Sequence, residues 1–258
     1  NYKYMSGTSM AAPHTSGIMA LILQRINSLD LKLSPKDKVE LVKNLAINTS
    51  IPQVDEDSKD AKLPFSPRQQ GAGLINALNL MKNNVVILDE NNESTVALKQ
   101  INEATKKFTL TFKNYGNKEE IYIPKDVYGV LTEQKDKTSE MNIKDAKISF
   151  DKDEIVVPAN GETKVTVTLT LPKDCPKGIF VEGFLNFMSK STDTASIGIP
   201  YMGFYGKWDE SAIIDKPIWE EGSYLKTTGV YKISNKDEIL LGVIGKDKKT
   251  EDPKIGRA

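Results

Sequence analysis

The segment Gly7-Thr8-Ser9-Met10-Ala11-Ala12-Pro13-His14 opens a stretch that is almost entirely apolar as far as Asn27. A glycine and two hydroxyl residues, followed by apolar residues on nearly every face, predict a tight turn that leads into a buried helix. The first amides of a helix have no intrahelical acceptor, so the Ser9 N–H can donate to the oxyanion that forms when the Ser9 hydroxyl attacks a carbonyl. Gly7 permits the turn and the close approach of a substrate backbone. The pattern predicts that Ser9 is both a nucleophile and a backbone oxyanion donor.

Helical signals continue to about residue 83. Ser34-Pro35-Lys36-Asp37 combines an N-cap residue, a proline at the first helical position and an acid in the first turn, and therefore predicts a second, amphipathic helix. Residues 49–67 are rich in Asp, Ser, Lys and Pro and are predicted to form a surface loop. Gly71-Ala72-Gly73 then leads into a third predicted helix that ends near Asn83.

From about residue 84 the pattern changes from helical to alternating, with many Val, Ile, Thr and Phe residues between turn signals. This spacing is typical of an antiparallel β-sandwich. We predict three regions: a helical part over 1–83, an all-β sandwich over 84–206, and the start of a further, truncated β module over 207–258. The strands predicted for the sandwich are residues 95–99, 107–113, 120–123, 147–150, 163–171, 179–188 and 195–205, and two more are predicted at 229–233 and 239–244.

Composition excludes several classes of function. Lys and Arg number 35 and so do Asp and Glu, so no net field attracts nucleic acid or an anionic membrane. No apolar run approaches the roughly 20 residues that span a bilayer. Cys175 is the single cysteine and His14 the single histidine, which excludes an intrachain disulfide and a four-ligand Cys/His zinc site. We therefore expect no nucleic-acid partner and no membrane insertion of this segment.

An acidic stretch at residues 55–60 has a spacing similar to that of calcium loops, but it lacks the glycine and the closing glutamate of an EF-hand. A solvated loop explains it better. The sequence thus predicts no metal site and no cofactor.

The string at residues 7–14 resembles the active-serine segment of the subtilases, serine proteases with a Ser/His/Asp triad. By this resemblance Ser9 is the nucleophile of acyl-enzyme hydrolysis of peptide bonds, and Gly7, Thr8, Pro13 and His14 support the site structurally. The fold it implies is the C-terminal helical part of an α/β subtilisin-like catalytic domain. Protein or peptide substrates are implied as partners.

Two further segments resemble the cell-envelope subtilases, the group of lactocepin and the complement anaphylatoxin peptidases. Residues 66–77, Ser-Pro-Arg-Gln-Gln-Gly-Ala-Gly-Leu-Ile-Asn-Ala, are similar to the end of their catalytic domain. Residues 200–208, Pro-Tyr-Met-Gly-Phe-Tyr-Gly-Lys-Trp, are similar to the close of their first fibronectin-like domain. The resemblance implies that the sandwich is fibronectin type III-like and that the protein is secreted or anchored to the cell wall.

His14 cannot be the general base of Ser9, because five helical residues separate the two by about 140° and about 7.5 Å along the axis. The family's catalytic Asp and His and its oxyanion-hole Asn lie upstream of the serine. We therefore expect the chain to supply only the nucleophile, to be inactive alone, and to need the upstream half of the catalytic domain, covalent or nicked, or otherwise to self-associate. The alternative is a non-catalytic protein-binding or spacer module of a cell-surface protein.

Overall fold

The computed structural model describes residues 3–29, 31–55, 63–133, 140–210, 214, 216–217, 220–221, 223, 227–234, 237–246 and 253–256. Contacts divide the chain into two compact units, Asn1–Lys207 and Trp208–Ala258. Most of the acidic stretch 55–60, interpreted above as a solvated loop, lies outside the described residues. In the described part of the chain, no helix is both long enough and apolar enough to cross a membrane.

The helices of the first unit all precede residue 84. Ser34 caps α2 as predicted, because its Oγ accepts a hydrogen bond from the Asp37 amide at 3.1 Å. The predicted third helix is shorter than expected, since Leu74 forms an antiparallel bridge with Ile51 before the helix begins. A short helix that begins where the predicted loop ends was missed. The helices are α1 (Thr8–Ser28), α2 (Pro35–Thr49), α3 (Pro67–Gln70) and α4 (Ala77–Met81).

Two sheets form the β part of the first unit, with strand orders β1-β3-β9-β7 and β2-β11-β10-β4-β8, and β5 pairs with both β10 and β6. Pairing is antiparallel except for β2 with β11. All seven strands predicted for the sandwich occur, whereas four short strands, β1, β5, β6 and β8, were missed. The strands are β1 (Val85–Leu88), β2 (Val96–Ile101), β3 (Thr105–Asn114), β4 (Glu120–Lys125), β5 (Leu131–Glu133), β6 (Glu140–Asn142), β7 (Lys147–Phe150), β8 (Ile155–Val157), β9 (Glu162–Thr170), β10 (Ile179–Ser189) and β11 (Ile197–Tyr205).

The main hydrophobic core lies between these two sheets and draws its buried residues from Val85 to Tyr205. Aromatic rings join the sheets at its centre. Phe112 of β3 meets Phe187 of β10 edge to face, with ring centroids 4.8 Å apart. Tyr122 of β4 packs against Phe112 and is fully buried. The core of the sandwich is therefore built without the residues before β1.

Strand β1 links this sandwich to the helical segment, because its two faces belong to different cores. Val85 and Ile87 point into the sandwich. Val86 and Leu88 point into a smaller core formed with α1, α2 and α4. Because β1 is buried on both faces, its sequence is a continuous apolar run without alternation. The sequence pattern therefore did not predict this strand.

The second unit contains a three-stranded antiparallel sheet in the order β12-β13-β14. The two strands predicted from the sequence at 229–233 and 239–244 lie within its first two members. These strands are β12 (Thr227–Ser234), β13 (Asp237–Lys246) and β14 (Pro253–Gly256).

Candidate active site

Ser9 lies in the first turn of α1, directly after the turn that the sequence predicted. Gly7 caps the helix with φ 137° and ψ 166°, a backbone conformation that favours glycine. The Gly7 carbonyl accepts hydrogen bonds from the amides of Met10 at 3.0 Å and Ala11 at 3.2 Å. The Ser9 amide precedes these first intrahelical donors, so helix geometry leaves it available to an external acceptor. Ser9 is exposed, and its hydroxyl and amide are thus presented together.

Pro13 stands inside α1 rather than at its first position. A proline has no amide hydrogen, so the carbonyl four residues earlier, that of Ser9, loses its helical donor. One turn later, Ser16 Oγ donates to the Ala12 carbonyl at 2.9 Å. The Ser9 carbonyl therefore lacks the hydrogen bond that it would accept in an ordinary first turn.

His14 lies five residues after Ser9 on the same exposed part of α1. Helix geometry turns the two side chains about 140° apart, so the imidazole does not serve as the base of Ser9. The supporting roles expected for Gly7, Thr8, Pro13 and His14 stay predictions. All four are exposed, and the packing that such support requires is not supplied by the described residues.

The serine helix, predicted to be buried, is only partly covered within this chain. In α1, Ile22 and Ile26 are the buried residues, and both lie in its C-terminal part. Met10 and Leu21 are exposed, at 36% and 58%. Among the exposed large hydrophobic residues in the described part of the chain, eleven of nineteen precede residue 84. The helical segment therefore presents an apolar surface that the sandwich does not cover.

A half-buried polar contact holds the C-terminal part of α1 in place, in addition to its apolar packing. Arg25 donates to the Asn83 carbonyl at 3.1 Å and to Asn84 Oδ1 at 2.5 Å. Burial lowers the pKa of the Arg25 guanidinium, because the charged form is partly removed from water. This contact ties the serine helix to the chain just before β1.

Asn48 connects the helical segment to both sheets. Its side chain is fully buried, donates to the Gly198 carbonyl of β11 at 2.8 Å and accepts from the Ile87 amide of β1 at 2.8 Å. Ser94 Oγ adds a further donor at 3.1 Å. One amide side chain therefore satisfies backbone groups of β1 and β11 that would otherwise be buried without partners.

Arg68 makes the second connection between the helical segment and the sandwich. Its guanidinium forms a forked contact with Glu182 of β10, at 2.8 Å from Nη2 and 3.1 Å from Nε, and Nη2 lies 3.0 Å from Glu133 of β5. The Arg68 guanidinium carbon stands 3.9 Å from the centre of the Phe180 ring. Glu182 is fully buried. Sequence reasoning missed this contact, although a glutamate within the apolar run of residues 179–187 was a signal for a buried ion pair.

The two segments that carry the family resemblance meet beside this contact. Residues of 66–77 and residues of 200–208 line one cleft of about 470 Å³ next to β2. Its lining is mostly apolar and includes Pro67, Ala72, Pro200 and Met202. Stretches separated by more than a hundred residues in sequence are thus neighbours in the fold.

Comparisons with known proteins agree with this arrangement. Residues 1–73 match the model of the subtilase family. Residues 96–202 match the model of the Fn3-like domain. The first match contains Ser9 and Arg68, and the second contains Glu133 and Glu182, so the Arg68 contact joins the two matched regions. Below we call residues 1–73 the subtilase segment and residues 96–202 the Fn3-like domain.

Bacterial proteinases are similar to most of the chain. A PII-type proteinase of Lacticaseibacillus paracasei is 36% identical over 232 residues, 83% of this chain and 12% of that protein. A PII-type proteinase of Lactococcus lactis subsp. cremoris is 35% identical over the same shares. A C5a peptidase of Streptococcus pyogenes is 30% identical over 85% of this chain and 19% of that protein. The chain spans less than a fifth of these relatives' length. It belongs to the subtilase family, in the group of bacterial cell-envelope proteinases, with a subtilase segment followed by an Fn3-like domain.

Proposed function

We propose that the protein acts as a serine endopeptidase in which Ser9 is the nucleophile. The observation that carries this proposal is the position of Ser9. It is exposed in the first turn of a helix, after a glycine with φ 137°, within the segment that matches the subtilase family. A hydroxyl and an unpaired amide at one helix start are the parts needed to attack a carbonyl and to stabilise the resulting oxyanion.

The chemistry needs a general base that takes the proton from the Ser9 hydroxyl during attack. The chain has one histidine, His14, which helix geometry turns away from Ser9. We infer that the base, and the aspartate that orients it, come from residues outside these 258, as the family resemblance implies. The chain by itself then supplies the nucleophile and one oxyanion donor and hydrolyses peptides at a negligible rate.

The exposed apolar surface of the subtilase segment supports the same proposal. Met10 and Leu21 of α1 are exposed, and directly after the segment Leu74 and Leu78 are 60% and 64% exposed. Apolar surface of this kind marks a site of association. We propose that the upstream half of the catalytic domain, covalent or nicked, covers it and brings the base to Ser9, and that copies of the chain self-associate when that half is absent.

The relatives are named as proteinases and as C5a peptidase. We propose protein or peptide substrates for this protein and an extracellular location, secreted or attached to the cell wall. Gly7, Thr8, Pro13 and His14 are proposed to shape the site without taking part in proton transfer.

Labelling with a serine-directed phosphonate tests the proposal, because the reagent requires an activated serine. The chain alone should remain unlabelled, and the chain mixed with or fused to the upstream half should be labelled at Ser9. Ser9→Ala should abolish labelling, and His14→Gln should leave it largely intact. Labelling that survives Ser9→Ala would contradict the assignment of the nucleophile.

A non-catalytic binding or spacer role is the second candidate, and the match of residues 96–202 to the Fn3-like domain favours it. The same experiment separates the two. If the chain joined to its upstream half stays unlabelled while the half itself is folded, the serine is not part of a working site and the spacer role takes precedence.

A further inference from the structure

The contact between the subtilase segment and the Fn3-like domain contains more acidic than basic groups. Glu133 and Glu140 stand opposite each other in the paired strands β5 and β6. Glu182 lies on the neighbouring strand β10, where it pairs with Leu131 of β5. Among the described residues of this contact, Arg68 of α3 is the one cation: it pairs with Glu133 and Glu182 and acts on Glu140 through its charge. We call Ser66, Arg68, Glu133, Glu140 and Glu182 the junction cluster.

These carboxylates differ in how far they are removed from water. Glu133 is half-exposed and contacts Arg68, so solvent stabilises its charge. Glu182 is fully buried but has the forked contact with Arg68. Glu140 is 5% exposed, and its Oε2 has no hydrogen-bond partner among the described residues. An ionised carboxylate in that position is costly, because its oxygens are largely shielded from water and the Arg68 guanidinium contacts Glu133 and Glu182 instead.

Protonation of the Glu140 carboxylate removes the free-energy cost of burying its charge. Protonated Glu140 is neutral and gains an O–H donor. The fully buried Ser66 hydroxyl lies beside it and can accept from that donor, as well as donate to the ionised form. Burial raises the pKa of the Glu140 carboxyl, and the charge of Glu182 raises it further. The Ser66 hydroxyl and the Arg68 charge oppose this shift, and Glu133 reinforces it. In the part of the chain that the structure describes, the charged groups that act on Glu140 therefore come from α3, β5 and β10.

We propose that the junction cluster makes the seating of the subtilase segment on the Fn3-like domain proton-linked, with Glu140 holding a proton while the junction is closed and releasing it to solvent when residues 63–73 lift away. The closed state binds the proton more tightly than the open state, so mild acid favours the closed junction. As pH rises through the raised pKa of Glu140 in the closed state, that stabilisation is lost. The junction would thus tighten on acidification and loosen towards alkaline pH.

Hydrogen exchange at the junction tests this in the full chain. The amide of Gly71 donates to the Pro67 carbonyl at 2.9 Å and that of Gln70 to the Ser66 carbonyl at 3.0 Å, so their protection reports whether α3 is seated. Protection factors, corrected for intrinsic exchange, should be measured from about pH 4, just below the ordinary pKa of a glutamate, to about pH 8. We expect them to fall as pH rises, by up to about tenfold per pH unit for one linked proton.

Glu140→Gln keeps the shape of the side chain and stays neutral at every pH. It should flatten the pH dependence and raise protection above wild type at the alkaline end. Glu119→Gln changes an exposed carboxylate outside the cluster and should behave as wild type. As a measurement that needs no variant, the carboxyl carbon of Glu140 can be titrated directly by NMR. Protection that is independent of pH, or a pH dependence that persists unchanged in Glu140→Gln, would overturn the proposal.

Discussion

Replacing Arg68 by methionine should destabilise the chain far more than breaking an ordinary surface ion pair. Arg68 is the cation that pairs with Glu182 among the described residues, and Glu182 is fully buried. Methionine fills much of the same volume but leaves that carboxylate without a partner. Removal of one member of a buried pair costs about 3–5 kcal/mol. Because Glu133 is half-exposed and regains water, we expect the lower end, about 3 kcal/mol.

The assay is urea unfolding of the full chain followed by circular dichroism, with an exposed ion pair as the control. Lys190 pairs with Glu154 on the surface, where both side chains are nearly half-exposed. Lys190→Met should therefore cost less than about 1 kcal/mol. A double variant, Arg68→Met with Glu182→Met, removes both charges and should regain most of the loss. If Arg68→Met costs no more than Lys190→Met, or if the double variant is no more stable than Arg68→Met, the buried pair is not what holds the junction.

Three further predictions follow from other contacts. Asn48→Leu leaves the Ile87 amide and the Gly198 carbonyl buried without partners and should lower the free energy of unfolding by about 2–4 kcal/mol, as measured by urea unfolding against Asn117→Leu at an exposed turn. Gly73→Ala should lower the free energy of unfolding by about 2–3 kcal/mol, because φ is 111° and the new Cβ would lie 2.3 Å from the Ile51 carbonyl oxygen. In the control Gly17→Ala in α1, a Cβ meets nothing within 4 Å. That variant should raise the free energy of unfolding by about 0.5–1 kcal/mol in the same assay. Ser9→Ala in the intact proteinase should lower kcat by several orders of magnitude, because it removes the attacking oxygen. The melting curve should be unchanged, because Ser9 is exposed and its hydroxyl fills no core space. Turnover near the wild-type rate would remove Ser9 from the mechanism.

Much of the local structure could be read from the sequence, because its signals act between neighbouring residues. Gly7 before Thr8 and Ser9 indicated the turn and the start of α1, and the structure has both. Ser34 indicated the cap of α2, which forms as expected. Alternating Val, Ile, Thr and Phe residues indicated the longer strands such as β9 and β10. The candidate nucleophile was likewise visible, since the glycine turn, the hydroxyl and the helix start lie within three consecutive residues.

Tertiary structure decided which distant groups meet and which apolar surfaces find cover. Arg68 and Glu182 are 114 residues apart, and Asn48 and Gly198 are 150 apart, so no local pattern relates them. Strands β5 and β6 have three residues each, too few for a periodicity. They form because β5 pairs with β10, and β6 in turn pairs with β5. The serine helix has the sequence of a buried helix, yet its N-terminal part is exposed. The apolar composition of a helix determines how much free energy its burial would gain. Whether another surface covers the helix depends on how the rest of the chain packs.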